Sequence, residues 1–497
     1  MKRTVLLVNV SIAKVSTTNF FVMPIGLLSI AAYLTKCQFP VQLLDFNVVK
    51  RKNKISTDED LLKFFAAYLN EFNPAIVGFS TMVAGQFNLS NAAATLAKQI
   101  IPDVITAVGG AHVSEFPNQI LKNCPSIDYI VLGEGEKQSL LLAELALNDR
   151  KIGLHENGFA FRQDGHIIIN PKTSYENLNE LPLPAYHLLN FDDYLHDTSS
   201  WHNPYKADLG VRVPLITSRG CPNLCTFCSV AKYMGMTYRY INATKVADMI
   251  QKLCEYNSVR TFVIYDANFT HKTKRVIELC EEITRRNLKI NLDLPTGLPL
   301  NTSSLEMIDA LVETGLIRTC VSVESGDGYI RNEIMKKGIS EDDALKIINR
   351  IRKYPQVFLM TDFVMGMPEE TVESLDASVN FIEKLDTDDI DLSISTPYPG
   401  TALFDQCERD DLFFSNIDKD SFYRSTEYSH NNKNIFTIKP YKMDFDALKF
   451  YRDKILKMRP HKIRLYHKRM KDIFGVESNY RKELLFVKEE SYELNYD

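Results

Sequence analysis

Apolar positions fall into two rhythms along this 497-residue chain. Up to about residue 149, short β-branched runs at 4–10, 41–45, 75–80, 104–108 and 128–132 read as strands. Between them, residues 25–34 and 88–101 place apolar side chains at three- and four-residue steps, as crossover helices do. This alternation predicts an α/β fold with a doubly wound, Rossmann-like parallel sheet, whose ligands sit beyond the carboxyl ends of the strands. Residues 158–162 and 166–170 flank Gln163-Asp164-Gly165, a turn suited to an antiparallel hairpin that closes the first domain. Residues 171–205, with Leu181-Pro182-Leu183-Pro184, keep no sustained period and read as a surface linker.

From about Val211 the strand-like runs resume at 214–218, 261–265, 289–294, 318–323, 357–365 and 390–395, with helical patterns between them. Six βα repeats predict a partial barrel. Ser303 and Glu306 form a capping box ahead of the apolar stripe Leu305, Ile308 and Val312. After Leu403 the strand signal fades, and 441–474 reads as a basic helical region interrupted at Pro460. There Leu448, Tyr451, Ile455 and Met458 form an apolar stripe with Lys449, Arg452, Lys454, Lys457 and Arg459 around it, a pattern that suits a solvated helix packed on the barrel, a peripheral membrane contact or an acidic ligand. The expected organisation is a sheet domain over 1–150, hairpin and linker over 151–210, a barrel over 211–403 and a C-terminal helical region over 404–497.

Composition narrows the function. The chain is 45% hydrophobic, enough for real cores, and its 58 basic and 63 acidic residues give a net charge of -5 with no global attraction for nucleic acid. No stretch approaches the ~18 apolar residues of a membrane span, and the N-terminus lacks the pattern of a secretory signal. Nine cysteines are too sparse for a disulfide scaffold, yet three fall within eight residues, which points to metal ligation in a reducing, cytoplasmic setting. Cys37, Cys124, Cys254, Cys280, Cys320 and Cys407 are scattered and read as buried small hydrophobes.

The three are Cys221, Cys225 and Cys228, in Cys221-Pro222-Asn223-Leu224-Cys225-Thr226-Phe227-Cys228, directly after the expected first barrel strand. A cubane iron–sulfur cluster needs four ligands, so three thiolates leave one iron for an outside molecule. The alternatives are reduced core cysteines, an electron-transfer cluster, or zinc. Zinc would want a fourth Cys or His at short spacing, whereas His202 lies before the strand and no His follows until His271.

Cys-x-x-x-Cys-x-aromatic-Cys after a barrel's first strand resembles the signature of the radical S-adenosylmethionine (SAM) superfamily. The resemblance implies a 4Fe-4S cluster on Cys221, Cys225 and Cys228 whose open iron chelates SAM, with Phe227 near the adenine. Tyr265-Asp266-Ala267-Asn268 is similar to the family segment that supports the SAM amino group, which makes Asp266 and Asn268 candidates. Ser322-Val323-Glu324-Ser325-Gly326 implies Glu324 as a SAM contact. Loops around Gly366 and Tyr398 resemble adenine-side loops.

Small residues also mark strand ends in the first domain: Ser80 and Thr81, then Gly109 and Gly110 with His112, then Gly133, Glu134 and Gly135. Alone these are ordinary βα turns. With Pro24-Ile25-Gly26 before the first helix, they resemble the N-terminal domain of cobalamin-binding radical SAM enzymes and so imply cobalamin contacts. The Asp-x-His-x-x-Gly motif of many other cobalamin proteins is missing, since no His precedes His112. Whether His112 approaches the cofactor stays open at this stage.

The resemblance implies a methyltransferase that uses a 5′-deoxyadenosyl radical to carry a methyl group from methylcobalamin to an unactivated carbon of a small-molecule or natural-product substrate. The alternatives are a cobalamin-dependent cyclase or oxidoreductase without net methyl transfer, or a non-enzymatic cobalamin or redox sensor. A low-potential donor such as flavodoxin or ferredoxin is the expected electron source. RNA methylthiolation is disfavoured, because only Cys37 and Cys124 precede the motif.

Overall fold

The computed structural model describes residues 3–10, 22–148, 156–194, 209–256, 259–415, 417–425, 434–478 and 480–481. Residues 195–205 of the expected linker, with His202, lie outside the described residues. The chain packs as two units.

The first unit comprises Met1–Tyr194 with Ser229–Arg239 and Asp418–Ser429. Its sheet runs β2-β1-β3-β4-β5-β6-β7, where β1 is Val5–Asn9, β2 Val41–Asp45, β3 Ile76–Ser80, β4 Ile105–Gly109, β5 Tyr129–Val131, β6 Phe159–Gln163 and β7 His166–Asn170. The first five strands pair in parallel, and the expected hairpin extends the sheet antiparallel. β1 is buried at every position, as a central strand covered on both faces must be. Helix α1 (Ile25–Lys36) supplies Leu27, Ala31 and Leu34 to one core, against Val5, Leu7, Ile76 and Ala107. Elsewhere in the unit Phe65 meets Phe46 and Phe79 edge-on.

The second unit comprises Leu195–Cys228, Tyr240–Ile417 and His430–Asp497. Six parallel strands follow one another in chain order: β8 Val211–Leu215, β9 Val259–Ile264, β10 Asn291–Leu298, β11 Leu316–Glu324, β12 Phe358–Met365 and β13 Asp389–Ile394. The sheet stays open between β13 and β8, which makes it the expected partial barrel. β8 ends three residues earlier than expected. Thr217 and Ser218 are bonded to the Asp266 carboxylate, and Ser218 belongs to a separate two-stranded ladder, which takes both out of that strand.

Two further expectations are corrected. The cap of helix α2 (Leu305–Thr314) is Ser304, whose hydroxyl accepts from the Met307 N–H, while the Ser303 hydroxyl donates to the Pro299 carbonyl. The basic region forms one 30-residue helix, α3 (Phe445–Phe474), that runs through Pro460. Anchors on both sides of the proline hold it: Arg459 forks onto Asp389, and Lys462 donates to the Leu385 carbonyl. Arg452 and Arg459 are consequently buried rather than ringing the helix in solvent. Ile463, Tyr466 and Met470 of α3 pack with Cys320, Phe358, Met360 and Tyr480. Cys124, Cys280, Cys320 and Cys407 are buried as expected, whereas Cys37 and Cys254 are half-buried. Among the described residues no helix is long and apolar enough to cross a membrane.

Candidate cofactor sites

The cysteine loop leaves the carboxyl end of β8 and is fixed by its neighbours. Its Thr226 hydroxyl donates to the Ile334 carbonyl at 2.9 Å, its N–H donates to Met335, and its carbonyl accepts from the Leu403 N–H. Cys221 and Cys225 are half-buried and Cys228 is exposed, so the three thiols stand at a surface-accessible loop rather than in a packed core. Phe227 is half-buried beside them.

Asp266 does a different job from the one its motif suggested. Its buried carboxylate accepts from the Thr217 N–H, the Thr217 hydroxyl and the Ser218 hydroxyl at 2.5, 2.6 and 2.7 Å. It therefore locks the strand end that launches the cysteine loop. Burial pushes its pKa up, against the pull of Arg275 and these donors. Asn268 points to the cysteines: its amide nitrogen lies 3.7 Å from the Cys221 sulfur, and its buried Oδ1 has no hydrogen-bond partner. An orphaned buried acceptor next to Cys221 fits a ligand that brings an N–H donor, as an amino acid ammonium would.

Glu324 ends β11 in the left-handed region, at φ 68°, where the register with β12 shifts. Its carboxylate accepts from Lys337 at 2.8 Å, with both side chains mostly buried. Burial opposes the Lys337 charge, but Glu324 and the thiols of Cys225 and Cys228 outweigh it and hold the ammonium above its ordinary pKa. A carboxylate on a left-handed backbone position and a buried cation thus lie beside the thiols. Gly366, at φ 90°, donates its N–H to Glu370, whose buried carboxyl is pushed up to about 8. Tyr398 is half-buried, and its carbonyl accepts from the Thr401 N–H and hydroxyl.

Lys337, Asp362 and Glu370 were not picked out from sequence. Asp362 accepts from the Ser322 hydroxyl at 3.0 Å, and burial followed by repulsion from Glu324 pushes it up to about 7. A charge at a single position of the otherwise uncharged run Phe358–Met365 was the available signal. Lys337 carried none, because lysine before glycine is ordinary loop composition.

In the first unit, the structure brings Ser80, Thr81, Gly109, Gly110 and Gly133 together beyond the ends of β3, β4 and β5. Thr81 donates its N–H to the Gly109 carbonyl, and the Ser114 hydroxyl links the Gly133 N–H to the Gly110 carbonyl. Gly110 has φ 128°, and an added Cβ would sit 2.5 Å from the Thr81 carbonyl oxygen, so only glycine lets these loops meet. Met82 and Val83, about half exposed beside them, offer an apolar rim that fits a corrin face. Two candidates are engaged elsewhere. The buried His112 donates Nε2–H to the Tyr423 carbonyl at 2.7 Å, with Phe116 and Phe87 against its ring, and burial lowers its pKa. Glu134 is forked by Arg239, whose guanidinium also lies over the Tyr175 ring. Gly135 starts the turn into the helix Glu136–Asn148, where an added Cβ would press on Ile30. Glu134, Glu136 and Glu176 lie close enough to hold a metal, but Arg239, Ser29 and Lys172 already satisfy them.

Comparison with known proteins returns two family models on this chain. The family model of the B12 binding domain matches residues 13–142, and that of the Radical SAM superfamily matches 215–382. An "Uncharacterized methyltransferase PH0819" of Pyrococcus horikoshii is 29% identical over 70% of this chain and 73% of its own length. The cytidylyl-2-hydroxyethylphosphonate methyltransferase of Streptomyces wedmorensis is 27% identical over 81% of this chain and 80% of its own. The fold matches the solved structure of the cobalamin-dependent SAM radical enzyme OxsB with aqua-cobalamin and SAM bound, at a TM-score of 0.70 and 17% identity, over 92% of this chain and 67% of that one.

Proposed function

We propose that this chain, which belongs to the cobalamin-binding radical SAM family, is a methyltransferase acting on an unactivated carbon of a small molecule. The carrying observation is the incomplete donor set: three thiols on one loop, faced by an orphaned amide oxygen and a buried ion pair. When bound, the cluster and SAM supply a carbon radical that takes a substrate hydrogen, and the corrinoid supplies the methyl group.

The residues of the chain hold and orient these groups. Cys221, Cys225 and Cys228 hold the cluster and leave one position for SAM. Asn268 Oδ1 accepts from the SAM ammonium, and Phe227 lies by its adenine. Glu324 and Lys337 offer one anionic and one cationic group to the rest of that ligand. Asp266 contributes by bracing the loop through Thr217 and Ser218. In the first unit, Ser80, Thr81, Gly109, Gly110 and Gly133 present backbone and small polar groups to the corrinoid. His112 donates its Nε2–H to the Tyr423 carbonyl and lies between Phe87 and Phe116, so its role is packing within the first unit. The electron comes from a low-potential flavodoxin or ferredoxin, in a reducing cytoplasm that keeps the cysteines as thiols.

The test is an anaerobic incubation of reconstituted, cobalamin-loaded protein with SAM bearing a deuterated methyl group and a low-potential reductant. Formation of both S-adenosylhomocysteine and 5′-deoxyadenosine supports methyl transfer. Deoxyadenosine alone would move the reading to a cyclase or oxidoreductase, and neither product would leave a sensor.

A further inference from the structure

Helix α3 carries ten Lys or Arg (449, 452, 454, 457, 459, 462, 464, 468, 469 and 471) against three Asp (446, 453 and 472), in a chain whose net charge is -5. Part of that charge is internal. Arg459 and Arg469 are spent on Asp389 and Asp388, and Lys462 on the Leu385 carbonyl. Lys457, His461, Arg464, Lys468 and Lys471 are different. They recur at steps of four, three, four and three, so they form one stripe, and all five are exposed. None of them makes an ion pair with another described residue. At 1.5 Å per residue the stripe is about 21 Å long.

Large apolar side chains stand exposed on the same helix. Phe450 is 60% exposed and falls in line with the cations, and Leu465 is 51% exposed at the stripe's margin. A helix whose inner face is already satisfied has no structural need for them outside. We propose that the outer face of α3 docks on an anionic lipid surface, with the basic stripe on the headgroups and Phe450 and Leu465 entering the interface.

An acidic electron-donor protein fits the placement less well. The cysteine loop follows the carboxyl end of β8, whereas Arg459, Lys462 and Arg469 tie this half of α3 to Asp389, Leu385 and Asp388, at the amino end of β13. A donor docked there would lie a strand's length from the thiols, about 20 Å for six residues. A flat array of charges flanked by apolar side chains matches a bilayer at no such cost.

The experiment is co-sedimentation of the full chain with vesicles of phosphatidylcholine alone or with about a third phosphatidylglycerol, at low and high salt. Binding is expected only with phosphatidylglycerol and should fall as salt screens the stripe. The triple variant Lys457→Glu, Arg464→Glu, Lys468→Glu should bind at least a hundredfold more weakly, at roughly fivefold per cation removed. Phe450→Ser with Leu465→Ser should weaken binding by a smaller factor at both salt levels. Cobalamin binding and circular dichroism verify that both variants fold. Vesicle binding that survives charge reversal, or no binding to the anionic vesicles, overturns the proposal. So does capture of an acidic flavodoxin, instead of vesicles, that the same substitutions abolish.

Discussion

Replacing Lys337 by Met separates the buried ion pair beside the thiols from everything else in the barrel. Glu324 and Lys337 keep 9% and 16% of their side-chain surface and meet at 2.8 Å. Methionine fills most of the lysine's volume but leaves the Glu324 carboxylate without a counter-charge. That costs about 3 to 5 kcal/mol for a buried pair, against about 1 kcal/mol or less for a surface one. The residue it strands already sits at φ 68°, a conformation that costs a further 1 to 3 kcal/mol or so and needs its surroundings to persist. Urea unfolding of the cofactor-free chain, followed by circular dichroism, should therefore show Lys337→Met destabilised by about 3 kcal/mol. The double variant Glu324→Gln, Lys337→Met should recover most of that loss, because it removes the unpaired charge along with the pair. A single variant within 0.5 kcal/mol or so of the parent, or a double variant no better than the single, would refute the view that this pair is buried and coupled.

Other predictions address the remaining parts. Cys225→Ala should abolish reductive cleavage of SAM, while spectroscopic titration still shows cobalamin bound to the first unit. Gly133→Ala should lose more than about 2 kcal/mol in thermal or urea unfolding, since φ is 71° and the new Cβ would lie 2.6 Å from the Tyr233 carbonyl. Glu370, pushed from 4.5 to about 8, binds its proton more tightly folded than unfolded. Its contribution should be full below pH 4.5 and drain away as pH rises through about 8, by a few kcal/mol at most. Glu370→Gln should flatten that slope in pH-dependent unfolding, and an unchanged slope would mean the carboxyl is not the group that titrates.

The fold was legible because its signals are local. Strands at 41–45 and 166–170 coincide with the observed β2 and β7, since short apolar runs between helical patterns and turns leave little choice. Boundaries failed where a tertiary contact took over: Asp266 ended β8 early, and the fork of Arg459 on Asp389 carried α3 across Pro460. The cysteine loop was legible for a similar reason, since three ligands within eight residues need no long-range information. Lys337 was not, because its pairing with Glu324 crosses a loop and a π-helical turn, Ile330–Ile334, that no periodicity announces. The packing of Ser229–Arg239 and Asp418–Ser429 with the first unit was equally invisible. It depends on contacts such as Arg239 with Glu134 and Tyr423 with His112, which join residues more than a hundred positions apart.

The most direct test of the central claim is Mössbauer and electron paramagnetic resonance spectroscopy of the anaerobically reconstituted protein, before and after SAM is added. Three thiolates with one iron left open predict a cubane signal in which a single iron site changes its parameters when SAM binds. A cluster whose spectrum ignores SAM, or whose irons are all held by the protein from the start, would contradict it.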